Sequence, residues 1–334
     1  MKAISFAVVV AALISSTAFA DDKVSVQLDY VVRGNHAMFF VAKKKGYFTK
    51  QGIDVTAIQR GTGSPNAMRL VGNGNAEFGF GDLPTLAVAR SQGVPVVALA
   101  AVNQHSPLGM LSLKSKHPLS KPQDLKGLTI GVQPSGSTYV FLKAFLTVNG
   151  MSMDDIKQAT VNPPYENYLL LGRVDAVPGY IDAEVPELEA KAGGPGSLSI
   201  LQGSDFGYKV YGSGLFASEK VIAEKDDVVQ RFVNAYMQAF ADVIQNPEEA
   251  ADIIVEANPE YASKKDVLVK QIEADIKGTF FSPETQAHGL GWMTSDAWTD
   301  TTKILLEQGA MKDPIKVDAA FDVKFLGRAN ALKR

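Results

Sequence analysis

Short runs in which hydrophobic and polar residues alternate are each followed by a stretch of helical spacing. Val24, Val26 and Leu28 share one face of an extended segment, which predicts a strand over 24–28. A polar loop over 29–34 follows, and Asn35 is placed to cap a helix to about Lys45, stopped by Gly46. The alternation then repeats. It predicts a strand over 53–58 and the turn Gly61-Thr62-Gly63-Ser64-Pro65 opening a helix over 66–72. A short strand over 78–80, a helix over 83–91 and a strand over 94–102 come next. Strands alternating with helices predict a parallel, doubly wound sheet.

The unit begins again beyond a polar connector over 118–125. A strand over 128–132, the turn Pro134-Ser135-Gly136-Ser137-Thr138, a helix over 139–149 closed by Gly150, and strands over 159–161 and 174–178 follow in order. From Val228 the spacing becomes helical. Val228, Val229, Phe232, Val233, Tyr236, Phe240, Val243 and Ile244 line one face, with Asp226 and Asp227 favouring the amino end. Asn246-Pro247 breaks this helix, a second starts at Glu248, and a third is predicted over 289–307. The aromatic and methionine stripes of this part read as core.

At the amino end, Lys2 precedes an apolar run over 4–14 and the small-x-small pattern Ala18-Phe19-Ala20, before polar sequence starts at Asp21. This predicts a signal peptide over 1–20 cleaved after Ala20, and export to the periplasm. The run is short of the ~20 residues that a membrane span needs. The 334 residues are 46% hydrophobic and 21% charged, enough for two domains' worth of core. A formal charge of −3 gives no basic surplus for nucleic acid or an anionic membrane. There is no cysteine, which excludes disulfides, thiol catalysis, cysteine-ligated metal and a lipid anchor on cysteine.

Catalytic and cofactor motifs fail. His36, His105, His117 and His288 lack the spacing of a helix-borne metal pair, and there is no G-x-S-x-G and no Walker lysine. Gly212 to Ala217 matches G-x-G-x-x-A, but it lies late in the chain, and the alternation of Tyr208, Val210 and Tyr211 reads as a strand. No cofactor and no metal are expected. What stands out is a Gly/Ser/Thr turn opening a helix in each α/β unit. Gly63 and Ser64 belong to one, and Ser135, Ser137 and Thr138 to the other. Such turns offer backbone N–H groups and a positive dipole end to a ligand, or serve as ordinary caps.

The segments His36-Ala37-Met38-Phe39-Phe40-Val41-Ala42-Lys43-Lys44-Lys45-Gly46-Tyr47-Phe48, Gln51-Gly52-Ile53-Asp54-Val55 and Gly74-Asn75-Ala76-Glu77-Phe78-Gly79 carry a family likeness. So do Gly93-Val94-Pro95-Val96, Asp124-Leu125-Lys126-Gly127 and Gly172-Arg173-Val174-Asp175-Ala176. Together they resemble the NMT1/THI5-like and sulfonate/nitrate-type solute-binding proteins, the extracytoplasmic receptors of bacterial ABC importers. The resemblance implies an α/β type II periplasmic-binding-protein fold. Two lobes are joined by crossover strands near 108–113 and 208–217, with lobe I over 21–110 and 214–334 and lobe II over 111–213. It implies a ligand cleft that closes on a small organic molecule, and a monomer that docks on an inner-membrane ABC permease with its ATPase subunits.

The resemblance also assigns residues. Tyr30 follows the first strand in a Leu-Asp-aromatic motif like that of pyrimidine-binding relatives, placed to stack on a flat ring or to pack. Asn35 and His36 come next. Asp82 lies in the relatives' third contact loop, where it accepts from a ligand amine or caps the helix after Leu83. Tyr180 and Glu184 fall in a segment where relatives pair a glutamate with a ring nitrogen and an amino group, although Ile181 and Ala183 replace their tryptophans. The alternative ligand is an alkanesulfonate, nitrate or carboxylate, held by Arg33 and the turns at Gly61 and Ser135. A sensor receptor docking on a membrane kinase is a third reading. The family's fungal branch makes a pyrimidine from its own histidine and pyridoxal phosphate. It needs lysine and histidine in the third loop and a cysteine-rich run. Residues 79–84 hold neither lysine nor histidine, so no enzyme is expected.

Overall fold

A computed structural model of the protein describes residues 21–162 and 166–331. The expected signal peptide lies outside the described residues. The alternating segments form ten strands: β1 (Asp22–Gln27), β2 (Ile53–Gln59), β3 (Phe78–Asp82), β4 (Val96–Ala101), β5 (Leu108–Leu113), β6 (Thr129–Val132), β7 (Lys157–Thr160), β8 (Ala176–Tyr180), β9 (Leu198–Gln202) and β10 (Ser213–Ser218). They make two five-stranded sheets, ordered β2-β1-β3-β10-β4 and β7-β6-β8-β5-β9. Helices cover both faces, the two-lobed α/β architecture that the resemblance implies.

The sheets are mixed, not purely parallel. β1 runs parallel to β2 and β3, and β6 to β7 and β8. β10 is antiparallel to β3 and β4, and β5 to β8 and β9. In both cases the exception is the first strand after the chain arrives from the other lobe, so it enters its sheet from the opposite end. β5 lies wholly in the second sheet. The crossings are therefore 102–107 and 203–212, and the expected boundary at residue 110 falls inside β5. Gly212 to Ala217, the sequence that mimics a dinucleotide motif, is β10 and its entry. β9 carries no clear alternation, because Ser199 and Gln202 interrupt it, and sequence patterning misses it.

Two helix expectations need correction. Gly34 to His36 forms a tight turn that leads directly into the helix Ala37–Lys44, and Asn35 supplies no cap. The predicted helix over 289–307 begins only at Ser295. Gly289 and Gly291 take φ values of 102° and 80°, and Thr294 caps the helix by accepting from the Ala297 N–H at 3.3 Å. The helix Asp226–Gln245 forms as predicted and buries its apolar face on the first sheet. There Phe232 stacks on Phe78 at 3.7 Å between ring centroids and on Phe48 at 4.8 Å. The second lobe has its own core, with Phe141 packed on Phe145 and Tyr208.

The two crossings bond to each other. Ser106 N–H donates to the Val210 carbonyl at 2.9 Å, and Gly212 N–H to the Asn103 carbonyl at 2.9 Å. The helix Lys265–Gly278 packs beside them, and Asn103 Nδ2 donates to Asp275 Oδ1 at 2.7 Å. Asp275 faces Asp182 of the second lobe, in the helix Ile181–Ala192. Both are buried, and the two carboxyls meet closely enough to share a proton. Burial and then the charge of Asp275 push the Asp182 carboxyl well above its usual range, against the pull of Arg33 and the Ala183 N–H. Burial pushes Asp275 up to about 6, opposed by hydrogen bonds from Asp182, Thr279 and Asn103.

Two predictions follow from these contacts. Phe232→Ala removes the ring between Phe48 and Phe78 and should cost about 3–5 kcal/mol in chemical denaturation. The acidic pair binds protons more tightly when folded than when unfolded. Its contribution is complete below the ordinary carboxylate range near 4 and is lost as pH rises, through about 6 for Asp275 and higher for Asp182. Asp182→Asn should therefore match wild type near pH 4 and melt on the order of a few degrees higher at pH 8. Parallel melting curves for the two proteins across that range would contradict the shared proton.

Candidate functional site

The loop after β1 is held by Asp29. Asp29 Oδ1 lies 2.9 Å from His36 Nε2, and Asp29 Oδ2 accepts from Ser64 Oγ at 3.3 Å. Arg33 N–H donates to His36 Nδ1 at 3.1 Å, so the ring proton that faces Asp29 sits on Nε2. His36 is fully buried, edge-on to Phe80 at 5.2 Å. Ser64 Oγ in turn accepts the Asp82 N–H at 3.1 Å. Gly61 makes the close turn possible, since a Cβ there would lie 2.1 Å from the Leu28 carbonyl oxygen.

Asp82 is a cap. Its Oδ2 accepts from Thr85 N–H at 2.9 Å at the start of the helix Leu83–Ser91. Burial pushes its carboxyl up to about 7, partly opposed by the Thr85 hydrogen bonds and reinforced by the charge of Asp29. Asp82 therefore stands one layer behind the cleft.

On the second lobe, β8 ends at Tyr180, whose hydroxyl lies 2.8 Å from Ser137 Oγ at the start of the helix Ser137–Val148. Burial, followed by the charges of Asp82 and Asp29, raises the Tyr180 hydroxyl well above its ordinary pKa, so it stays protonated. Glu184 folds back from the first turn of its helix to accept the Tyr180 N–H. A Cβ on Gly179 would come 2.9 Å from Glu184 Oε2, so glycine leaves room for that carboxylate. Glu184 is 2% exposed.

Arg33 crosses the gap between the lobes. Its Nη2 pairs with Glu184 Oε1 at 2.5 Å, and its guanidinium lies 4.4 Å over the Tyr30 ring and 5.9 Å from the Tyr180 ring. Gln271 adds a second bridge, accepting from Gly34 N–H at 2.9 Å and donating to the Ala183 carbonyl at 2.8 Å. What remains between Arg33 and the two turns is a cavity of about 30 Å³. Outside it lies a chamber of about 500 Å³, which also has Tyr30 and Arg33 in its wall and reaches Tyr261, Gln271, Glu187 and Lys191.

The structure thus brings Tyr30, Gly63, Ser64, Ser137, Thr138 and Tyr180 together around the inner cavity. The two turns do face each other: a Cβ on Gly63 would be 3.9 Å from the Ser135 carbonyl oxygen. Ser135 itself is exposed and lines a separate groove. Asn35, His36 and Asp82 are buried but do not line the cavity, because they support the loop and the helix start behind it. Glu184 reaches the cleft through Arg33. Sequence reasoning gave no role to Asp29 or Gln133, which line the cavity, although Asp29 sits inside the Leu-Asp-aromatic motif. It assigned Arg33 to an anion and did not foresee the partner on the opposite lobe. The anion-friendly turns are partly spent on the protein itself, since Gly63 N–H donates to the Asp29 carbonyl and Gly136 N–H to the Gln133 carbonyl.

The comparisons agree with this architecture. The sequence profile of the family described as "NMT1/THI5 like" matches residues 33–250. The riboflavin-binding protein RibY of Chloroflexus aurantiacus is 26% identical over 91% of this chain and 86% of its own. The formylaminopyrimidine-binding protein of Halalkalibacterium halodurans is 25% identical over 90% and 89%. Proteins of Saccharomyces cerevisiae named 4-amino-5-hydroxymethyl-2-methylpyrimidine phosphate synthase also match. Among solved structures, the alkanesulfonate-binding protein SsuA of Xanthomonas axonopodis bound to MOPS superposes with a TM-score of 0.71. It is 15% identical and covers 92% of this chain and 100% of its own. A matched profile across well over half of the sequence, on a two-lobed fold shared with solute-binding proteins, places the chain in the NMT1/THI5-like family.

Proposed function

We propose that this protein is an exported solute receptor that captures a planar nitrogen heterocycle between its lobes and delivers it to an ABC importer. The observation that carries this reading is the buried Glu184 carboxylate, paired at the cleft with an Arg33 guanidinium that lies over the Tyr30 ring and near the Tyr180 ring. A carboxylate beside aromatic faces suits a flat ring with a donor edge, which stacks and hydrogen-bonds at once. The names of two relatives point the same way, since riboflavin and formylaminopyrimidine are both nitrogen heterocycles. The chamber beyond Arg33 leaves space for a substituent larger than one ring.

An anionic ligand fits less well. Asp29 and Glu184 stand in or just behind the cleft against the single guanidinium of Arg33, and a sulfonate would face that field. The SsuA likeness supports the fold and no ligand. Binding, not catalysis, is supported by residues 79–84. They form the end of β3 and the start of a capped helix, with no lysine or histidine to serve the synthase chemistry.

Titration calorimetry of the chain without residues 1–20 tests the reading with three probes: 4-amino-5-hydroxymethyl-2-methylpyrimidine, riboflavin and an alkanesulfonate. At least one heterocycle should bind and the sulfonate should not. Glu184→Gln should weaken the heterocycle by about 10- to 100-fold, the loss of one charge-assisted hydrogen bond. Tyr30→Ala should weaken it by about 3- to 10-fold through lost stacking. Binding of the sulfonate alone, or heterocycle affinity untouched by Glu184→Gln, would refute the assignment.

A further inference from the structure

We infer that Arg33 is an internal stand-in for the ligand, occupying the cleft and keeping Glu184 satisfied until a solute displaces it. The inference rests on the cleft being the binding site and adds how that site is held when empty.

The guanidinium group is a planar cation with a fixed fork of N–H donors. Three of its contacts in this cleft bear on that shape. Its edge pairs with Glu184 at 2.5 Å, one face covers the Tyr30 ring at 4.4 Å, and the Tyr180 ring lies 5.9 Å away. A flat heterocycle with a protonated ring nitrogen beside an amino group presents the same features, a planar face and a paired-donor edge. The cavity left beside Arg33 is about 30 Å³, roughly the volume of one water. A ring therefore cannot reach Glu184 while the guanidinium is there.

The loop backbone is fixed on either side, by Arg33 N–H on His36 and by Gly34 N–H on Gln271. Only the side chain has to move. Arg33 already lines the 500 Å³ outer chamber, which has Glu187 on its wall. The arginine can swing into that chamber without any change of the backbone. Burying Glu184 unpaired would be costly, so an empty cleft without Arg33 would resist closing. With Arg33 in place the empty protein closes on itself, and every solute competes with a tethered rival, which lowers apparent affinity and rejects rings with no donor edge.

Arg33→Ala separates this role from an ordinary ligand contact. Without ligand, the variant should melt lower than wild type. Millimolar methylguanidinium should restore its melting temperature, but not that of Arg33→Ala/Glu184→Gln and not beyond a marginal change in wild type. Affinity for 4-amino-5-hydroxymethyl-2-methylpyrimidine should rise about tenfold in Arg33→Ala. A fall in that affinity would make Arg33 a ligand contact and overturn the inference, as would an absence of methylguanidinium rescue. If methylguanidinium rescues but the pyrimidine binds neither protein, the stand-in survives and the assigned ligand class fails.

Discussion

A carboxylate taken out of water has to be paired, and in this protein the partner of Glu184 comes from the other lobe. Much of the cleft is arranged around that requirement. Glu184 is buried because its helix starts at the end of β8, and Gly179 leaves space for the carboxylate to turn back. Arg33 can meet it because Asp29, His36 and Ser64 fasten the loop after β1 in one shape. The pair thus couples the position of one lobe to the other, and anything that binds Glu184 acts on closure directly.

The covalent topology sets where this happens. The chain crosses between sheets twice, and the crossings bond to each other at Ser106–Val210 and Gly212–Asn103. The lobes are therefore hinged along one side and meet by contact on the other. The carboxyl ends of β1 and β8 both open into the space between, where ligands of open α/β sheets bind. The antiparallel strands β5 and β10 belong to the same geometry, each being the strand that a crossing delivers.

How much of this was legible beforehand depends on whether the information is local. Strands β1 to β4 and the helix Asp226–Gln245 are written in period-2 and period-3.6 patterns, and they form nearly where those patterns put them. Direction is not local. Nothing in the alternation of Leu108–Leu113 says that it runs against its neighbours. The helix over 289–307 was overextended because Gly289 and Gly291 take a positive φ that apolar spacing does not register. At the site, Tyr30, Ser64, Ser137 and Tyr180 stand near strand ends that local pattern predicts, and the structure gathers them around one cavity. Partners far along the chain leave no mark in local pattern. Arg33 and Glu184 are 151 positions apart, and Asp82 has an immediate partner in Thr85 that outweighs any more distant one.

The contrast between what holds each lobe and what holds the lobes together completes the picture. Within the lobes the contacts are aromatic and aliphatic, as in the Phe48–Phe232–Phe78 stack. Between the lobes Val140 and Ile304 add apolar packing, but the cleft itself is bridged by polar contacts: Arg33 with Glu184, Gln271 with the Ala183 carbonyl, Lys264 with Glu187 at 2.8 Å, and Asp182 with Asp275. Apolar cores of this size do not open on their own, whereas a polar contact can be exchanged for another group that makes the same hydrogen bond. A ligand can shift such an equilibrium only by its difference in affinity for the two states. On the proposed reading that difference is set at Glu184, whose carboxylate is paired from the opposite lobe by Arg33. A receptor built this way keeps each lobe rigid and lets closure depend on a few polar groups that a solute can replace.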